Sequence, residues 1–142
     1  MAVKTVLLVE DNENERLLAR RAFKNGGISA ELQTVANGKE ALAYLVGSGA
    51  TPPAPLPDLV LLDLNLPGIP GLSLLKRLRR TDRTALVPVV VLTTSGEEED
   101  VRQSYHLGAN SYVKKPIDYH EFAEIVLLLT RYWLGVNETR SS

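Results

Sequence analysis

Asp63 stands directly after four apolar residues, Leu59-Val60-Leu61-Leu62, and ahead of Leu64-Asn65-Leu66-Pro67-Gly68. An apolar run without helical period reads as a strand buried on both faces. The carboxylate then lies where the strand leaves its sheet, the end at which open α/β sheets build their sites. Other strand-like runs end on reactive groups too. Glu10-Asp11 follow Thr5-Val6-Leu7-Leu8-Val9, Thr93-Thr94-Ser95 follow the apolar run over 87–92, and Lys115-Pro116 follows 111–114. If these strands are parallel neighbours, carboxylates, hydroxyls and one ammonium converge on a single edge. Crowded carboxylates raise one another's pKa. A hard divalent cation relieves that repulsion, and Mg²⁺ takes a couple of carboxylates while leaving room for phosphate oxygens. Lys115 suits a phosphoryl oxygen and Thr93 offers a hydroxyl donor. With Asp63 as nucleophile and Asp11, helped by Glu10, as metal holder, the set suits phosphoryl transfer to a carboxylate.

The elements that must position these groups follow from the patterning. Strands are expected over 5–9, 30–36, 58–62, 87–92 and 111–114. Amphipathic helices are expected over 13–24, 39–46, 71–80, 97–107 and 118–134. Asp118 caps the last helix, and Gly26-Gly27 stops the first. The segment 47–57, with four prolines and two glycines, reads as a stiff surface loop rather than a linker. Strand and helix alternate five times. That predicts a flavodoxin-like α/β sandwich, a five-stranded parallel sheet in order 2-1-3-4-5 with helices on both faces.

At 142 residues the chain is expected to be one domain, with its core over about 4–134 and a frayed polar tail over 135–142. A net charge of −1 gives no bulk attraction to nucleic acid or to anionic membrane. The absence of cysteine excludes disulfides, a thiol nucleophile and Cys-type zinc sites. No apolar run approaches the ~18 residues that would span a membrane. A cytoplasmic location is compatible with all of this.

In its Glu10-Asp11, Leu-Leu-Asp63-Leu-Asn-Leu-Pro-Gly, Pro-Val-Val-Val-Leu-Thr93 and Tyr-Val-Lys-Lys115-Pro116 segments, the chain resembles the receiver domain of bacterial two-component response regulators. The resemblance covers roughly residues 4–134. It implies that Asp63 accepts a phosphoryl group from the phosphohistidine of a histidine kinase. It implies Mg²⁺ ligation by Asp11, by Glu10 mostly through water, by Asp63 and by the Asn65 carbonyl. Thr93 and Lys115 would bind phosphoryl oxygens, and Tyr112 would swing inward as Thr93 moves. The Lys115–Pro116 peptide bond would be cis. Glu10 departs from the second aspartate of many receivers, and the proline-rich loop is longer than in minimal ones. That loop, the Glu-Asp-Asn start and the Tyr-Trp-Leu ending resemble the single-domain regulators that accompany bacterial and cyanobacterial phytochromes.

Duller roles compete for the same residues. Asp63 could serve a turn, Glu10 and Asp11 could cap the first helix, and Tyr112 could be partial core. Thr94 and Ser95 read as capping residues, Lys114 as a surface charge, and His106 and His120 as solvated. The basic side Lys76-Arg77-Arg79-Arg80 reads as a solvated helix face. The last helix is apolar on more than one side, which predicts a homodimer through Phe122, Ile125, Val126, Leu129 and Trp133. With no DNA-binding module after residue 142, output is expected by protein contact or onward phosphotransfer.

Rival functions are an aspartyl-phosphate hydrolase, a flavin or nucleotide binder, and a receiver-like module that works without phosphorylation. The first lacks a general acid at Asn65. The second would have its phosphate repelled by Glu10-Asp11. The third does not need the full set of strand-end groups.

Overall fold

The computed structural model describes residues 3–138. Its sheet contains β1 (Thr5–Val9), β2 (Glu31–Val35), β3 (Leu59–Leu62), β4 (Val89–Thr93) and β5 (Ser111–Lys114). All pairings are parallel and the order is β2-β1-β3-β4-β5, as the patterning predicts. The helices are α1 (Glu13–Asn25), α2 (Gly38–Leu45), α3 (Gly71–Arg80), α4 (Glu98–His106) and α5 (Tyr119–Arg131).

Alternate residues of each strand face opposite sides, so the central strands feed two cores at once. Val6, Leu8, Leu59, Leu61, Val90 and Leu92 pack against Ala19 and Phe23 of α1 and Phe122 and Val126 of α5. Leu7, Val9, Val60, Leu62, Val89 and Val91 pack against Ala41 and Leu45 of α2 and Leu74, Leu75 and Leu78 of α3. Each fully buried side chain of this kind contributes about 1.5–3 kcal/mol. The two cores grip β1, β3 and β4 from both faces, and those are the strands whose ends carry Glu10, Asp63 and Thr93.

β4 starts at Val89, later than the apolar run suggests. Pro88 has no N–H to give, though its carbonyl accepts from Val60 N at 2.9 Å. The strand runs on to include Thr93, whose carbonyl accepts from Lys115 N at 2.7 Å. The proline-rich loop is tied through Ala54 to the end of α2 and to Arg83. Ala54 N donates to the Tyr44 carbonyl at 2.9 Å, and Arg83 donates to the carbonyls of Leu45 and Ala54 at 3.2 and 2.8 Å.

The last helix corrects two expectations. It ends as an α-helix at Arg131 and continues as a π-helical turn over Tyr132–Val136, so residues 135 and 136 are not frayed tail. Asn137 N closes that turn onto the Tyr132 carbonyl at 2.7 Å. The rest of the expected tail, 139–142, lies outside the described residues. Of the five residues expected at a homodimer contact, two are taken up by the chain's own core. Phe122 and Val126 are buried, and Ile125, Leu129 and Trp133 are half-buried against the same core. The helix is apolar on more than one side, and its wider stripe goes to the sheet. Leu128 and Tyr132 point outward instead, 60% and 47% exposed.

Candidate functional site

The β-ladder carries on one residue past the strands and sets the site. Glu10 N donates to the Val35 carbonyl at 3.0 Å, Asp63 N to the Val9 carbonyl at 3.1 Å, and Lys115 N to the Thr93 carbonyl at 2.7 Å. Glu10, Asp63, Thr93 and Lys115 therefore leave the sheet side by side. All four are buried.

Asp63 is the hub. Its Oδ1 accepts from Thr93 Oγ1 at 2.8 Å and from Asn65 N at 3.1 Å, and its Oδ2 accepts from Lys115 Nζ at 2.9 Å. Beyond it, Gly68 takes φ +74° to complete the Pro-Gly turn. Gly71 then starts α3 against the site strand. A Cβ there would meet the Asp63 carbonyl oxygen at 2.5 Å, so only glycine allows so close an approach.

Lys115 Nζ also donates to Glu10 Oε1 and to Glu15 Oε2, the latter at 2.8 Å. Burial disfavours its charge, but its bonds to Glu10 and Glu15 outweigh that and hold its pKa above the usual lysine value. Glu10 is pushed the other way for a carboxylate. Burial lifts it to about 8, against the pull of Lys115 and with the help of the Asp63 charge. Its second oxygen accepts from Asn12 N at 3.0 Å.

Glu10, Asp11 and Asp63 each offer a carboxylate oxygen, all within 4.8 Å of one another. Asp11 is exposed and the other two are buried, so the cluster opens on one side to solvent. Hard oxygen donors grouped this way fit a divalent cation of the Mg²⁺ or Mn²⁺ kind. Among the described residues, the ion pairs of Glu10 and Asp63 end on Lys115 alone. The cluster thus carries surplus negative charge that a bound cation would neutralise.

Tyr112 is half-buried, and its hydroxyl donates to the Ser95 carbonyl at 2.8 Å. Ser95 Oγ in turn donates to Asp100 Oδ2 at 2.5 Å. Tyr112 is thus tied to the segment that follows Thr93 rather than to Asp63 directly. The Lys115–Pro116 bond is trans, contrary to expectation. Trans is the intrinsic preference of X–Pro bonds by about 0.5–1 kcal/mol, and Lys115 reaches all its partners in that isomer. Two contributors escaped the sequence reading. Gly71 looked like an ordinary helix start. Glu15 looked like one more charge in the first turn of α1, and nothing in the residues around it points to Lys115.

The sequence matches the response regulator receiver domain family over residues 6–127. The chain is 39% identical over 137 residues to the probable methanogenesis regulatory protein FilR2 of Methanothrix harundinacea, covering 94% of this chain and 86% of that one. It is 37% identical over 131 residues to response regulator Rcp1 of Synechocystis, covering 92% of this chain and 89% of that one. The phosphorylated cyanobacterial phytochrome response regulator RcpA superposes with a TM-score of 0.92 at 38% identity, over 99% of this chain and all (100%) of that one. The Mn²⁺-bound form of Rcp1 superposes with a TM-score of 0.89 at 35% identity, over 97% of this chain and 99% of that one. With an acidic cluster, a hydroxyl and a lysine gathered on one sheet edge, and with a family match over most of its length, the chain belongs to the response regulator receiver domains, the phosphoacceptor modules of two-component signalling.

Proposed function

We propose that Asp63 is the phosphoacceptor and that the donor is the phosphohistidine of a histidine kinase. The observation that carries this is the placement of one buried carboxylate between Thr93 Oγ1, Lys115 Nζ and the acidic cluster. An Asp63 carboxylate oxygen bonds to phosphorus while the donor's P–N bond breaks, its electron pair going to the imidazole nitrogen. Lys115 and Thr93 neutralise and orient the incoming phosphoryl oxygens. Glu10, Asp11, Asp63 and the Asn65 carbonyl would hold Mg²⁺, which when bound supplies charge neutralisation for the transfer.

The new charge on Asp63 competes for the Thr93 hydroxyl. Thr93 leads into the segment to which Tyr112 is tied through Ser95, so the surface of α4, β5 and α5 changes its preference for a partner. Self-association on this reading uses the outward Leu128 and Tyr132. Sedimentation that shows only monomer, phosphorylated or not, would remove that part.

The similarity to RcpA and Rcp1 over nearly the whole chain supports a phytochrome-type kinase as donor. The test is transfer from labelled phosphohistidine kinases in the presence of Mg²⁺ and after its chelation. Label should move to this chain, fastest from a phytochrome-type kinase, and should stop with chelator. Equal transfer from unrelated kinases would refute the pairing, and transfer that ignores chelation would refute the metal's part.

A further inference from the structure

The two carboxylates that flank Lys115 alongside Asp63 arrive by different routes. Glu10 comes from the end of β1, whereas Glu15 comes from the first turn of α1. A glutamate three residues after a helix cap ordinarily turns back to the backbone N–H at the cap. Here Asn12 caps α1 by accepting from Glu15 N at 3.0 Å, but the Asn12 N–H is taken by Glu10 at 3.0 Å. Glu15 is left to reach across to Lys115 Nζ at 2.8 Å, with its side chain only 18% exposed.

An ammonium has three N–H donors, and all are committed, to Glu10, Glu15 and Asp63. If Asp63 gains a phosphoryl group, the third bond must pass to a phosphoryl oxygen while the other two stay.

We propose that Glu15 is a positioning residue of the phosphoryl site, holding the Lys115 ammonium in place from α1 while its bond to Asp63 is exchanged for one to the phosphoryl group. The proposal rests on Asp63 being the acceptor. It separates from that reading because Lys115 can be watched without any phosphorylation.

The test has two arms, each run on Glu15→Ala, Glu15→Asp and Glu15→Gln, with Glu40→Ala as the control from the other Asn-x-x-Glu helix start. The first arm follows exchange of the Lys115 ammonium protons with water by NMR of ¹⁵N-lysine protein. The second follows the rate of phosphoryl gain from acetyl phosphate at saturating Mg²⁺, together with Mg²⁺ affinity by calorimetry.

In the Ala and Asp variants, exchange should quicken and phosphoryl gain should slow, each by roughly three- to tenfold, the range of one net hydrogen bond. Gln, which keeps the reach and an acceptor oxygen, should restore both. Mg²⁺ affinity should stay within about twofold and Glu40→Ala should change nothing, since neither Glu15 nor Glu40 is in the metal cluster.

Unchanged Lys115 exchange in the Ala variant would overturn the proposal. So would faster exchange with an unchanged rate, which is a structural role only. A fast Asp variant beside a slow Gln variant would overturn it in favour of charge. If wild type gains no phosphoryl group, the acceptor reading fails and this proposal with it, while the NMR arm still reports who holds the lysine.

Discussion

Two helices of this chain begin with the same Asn-x-x-Glu pattern, Asn12-Glu13-Asn14-Glu15 at the start of α1 and Asn37-Gly38-Lys39-Glu40 at the start of α2. In both, the asparagine side chain accepts from the backbone N–H of the glutamate, at 3.0 and 2.9 Å. Beyond that they diverge. Glu40 turns back and accepts from the N–H of Ala36 at 3.0 Å, stabilising only its own helix start. Glu15 turns away to Lys115, 100 residues distant in sequence. β1 and β2 are neighbours, yet only the start after β1 borders a buried ammonium. A local capping pattern therefore sets a helix start, and a distant charge decides what its glutamate does.

The sharpest break of that comparison is Lys115→Ala. It leaves Glu10, Glu15 and Asp63 facing one another without their cation and should cost on the order of 3 kcal/mol by urea unfolding in metal-free buffer. Saturating Mg²⁺ should recover part of that loss through linkage. A midpoint equal to wild type would mean the lysine is not what tells the two helix starts apart.

The next effect is in pH. Glu10 goes from 4.5 when unfolded to about 8 when folded, so between those values the folded state binds the extra proton. Its contribution is fully present below the unfolded value and is lost as pH rises through about 8. Metal-free protein should therefore lose urea stability across that window, and Glu10→Gln should flatten the slope. A slope of the opposite sign in wild type would contradict a buried, proton-holding Glu10.

Cap removal comes third. Asn12→Ala and Asn37→Ala should each cost about 1 kcal/mol in thermal or urea unfolding. Only Asn12→Ala should also slow phosphoryl gain, because α1 carries Glu15. Equal slowing by both would erase the distinction. Smallest is Glu40→Gln, with a loss of a few tenths of a kcal/mol and an unchanged phosphorylation rate.

The strands were legible because β1, β3 and β4 are apolar on both faces, and a continuous apolar run bounded by turns has few other readings. Their ends were legible for the same reason, and the structure brings Glu10, Asp11, Asp63, Thr93 and Lys115 onto one edge. What escaped depends on partners the local chain does not name. Which apolar stripe of α5 the sheet would take could not be chosen when that helix is apolar on more than one side. Phe122 and Val126 went inward, while Leu128 and Tyr132 were left outside. The Lys115–Pro116 isomer carries no side-chain pattern at all. Glu15 has the same surroundings in sequence as Glu40, and only the fold distinguishes them.

The most direct test of the account is the intact mass of the protein after incubation with acetyl phosphate and Mg²⁺. Wild type should gain one phosphoryl group that Asp63→Asn abolishes and that chelation prevents. An unmodified wild type, or an Asp63→Asn variant that gains the group as readily, would contradict it.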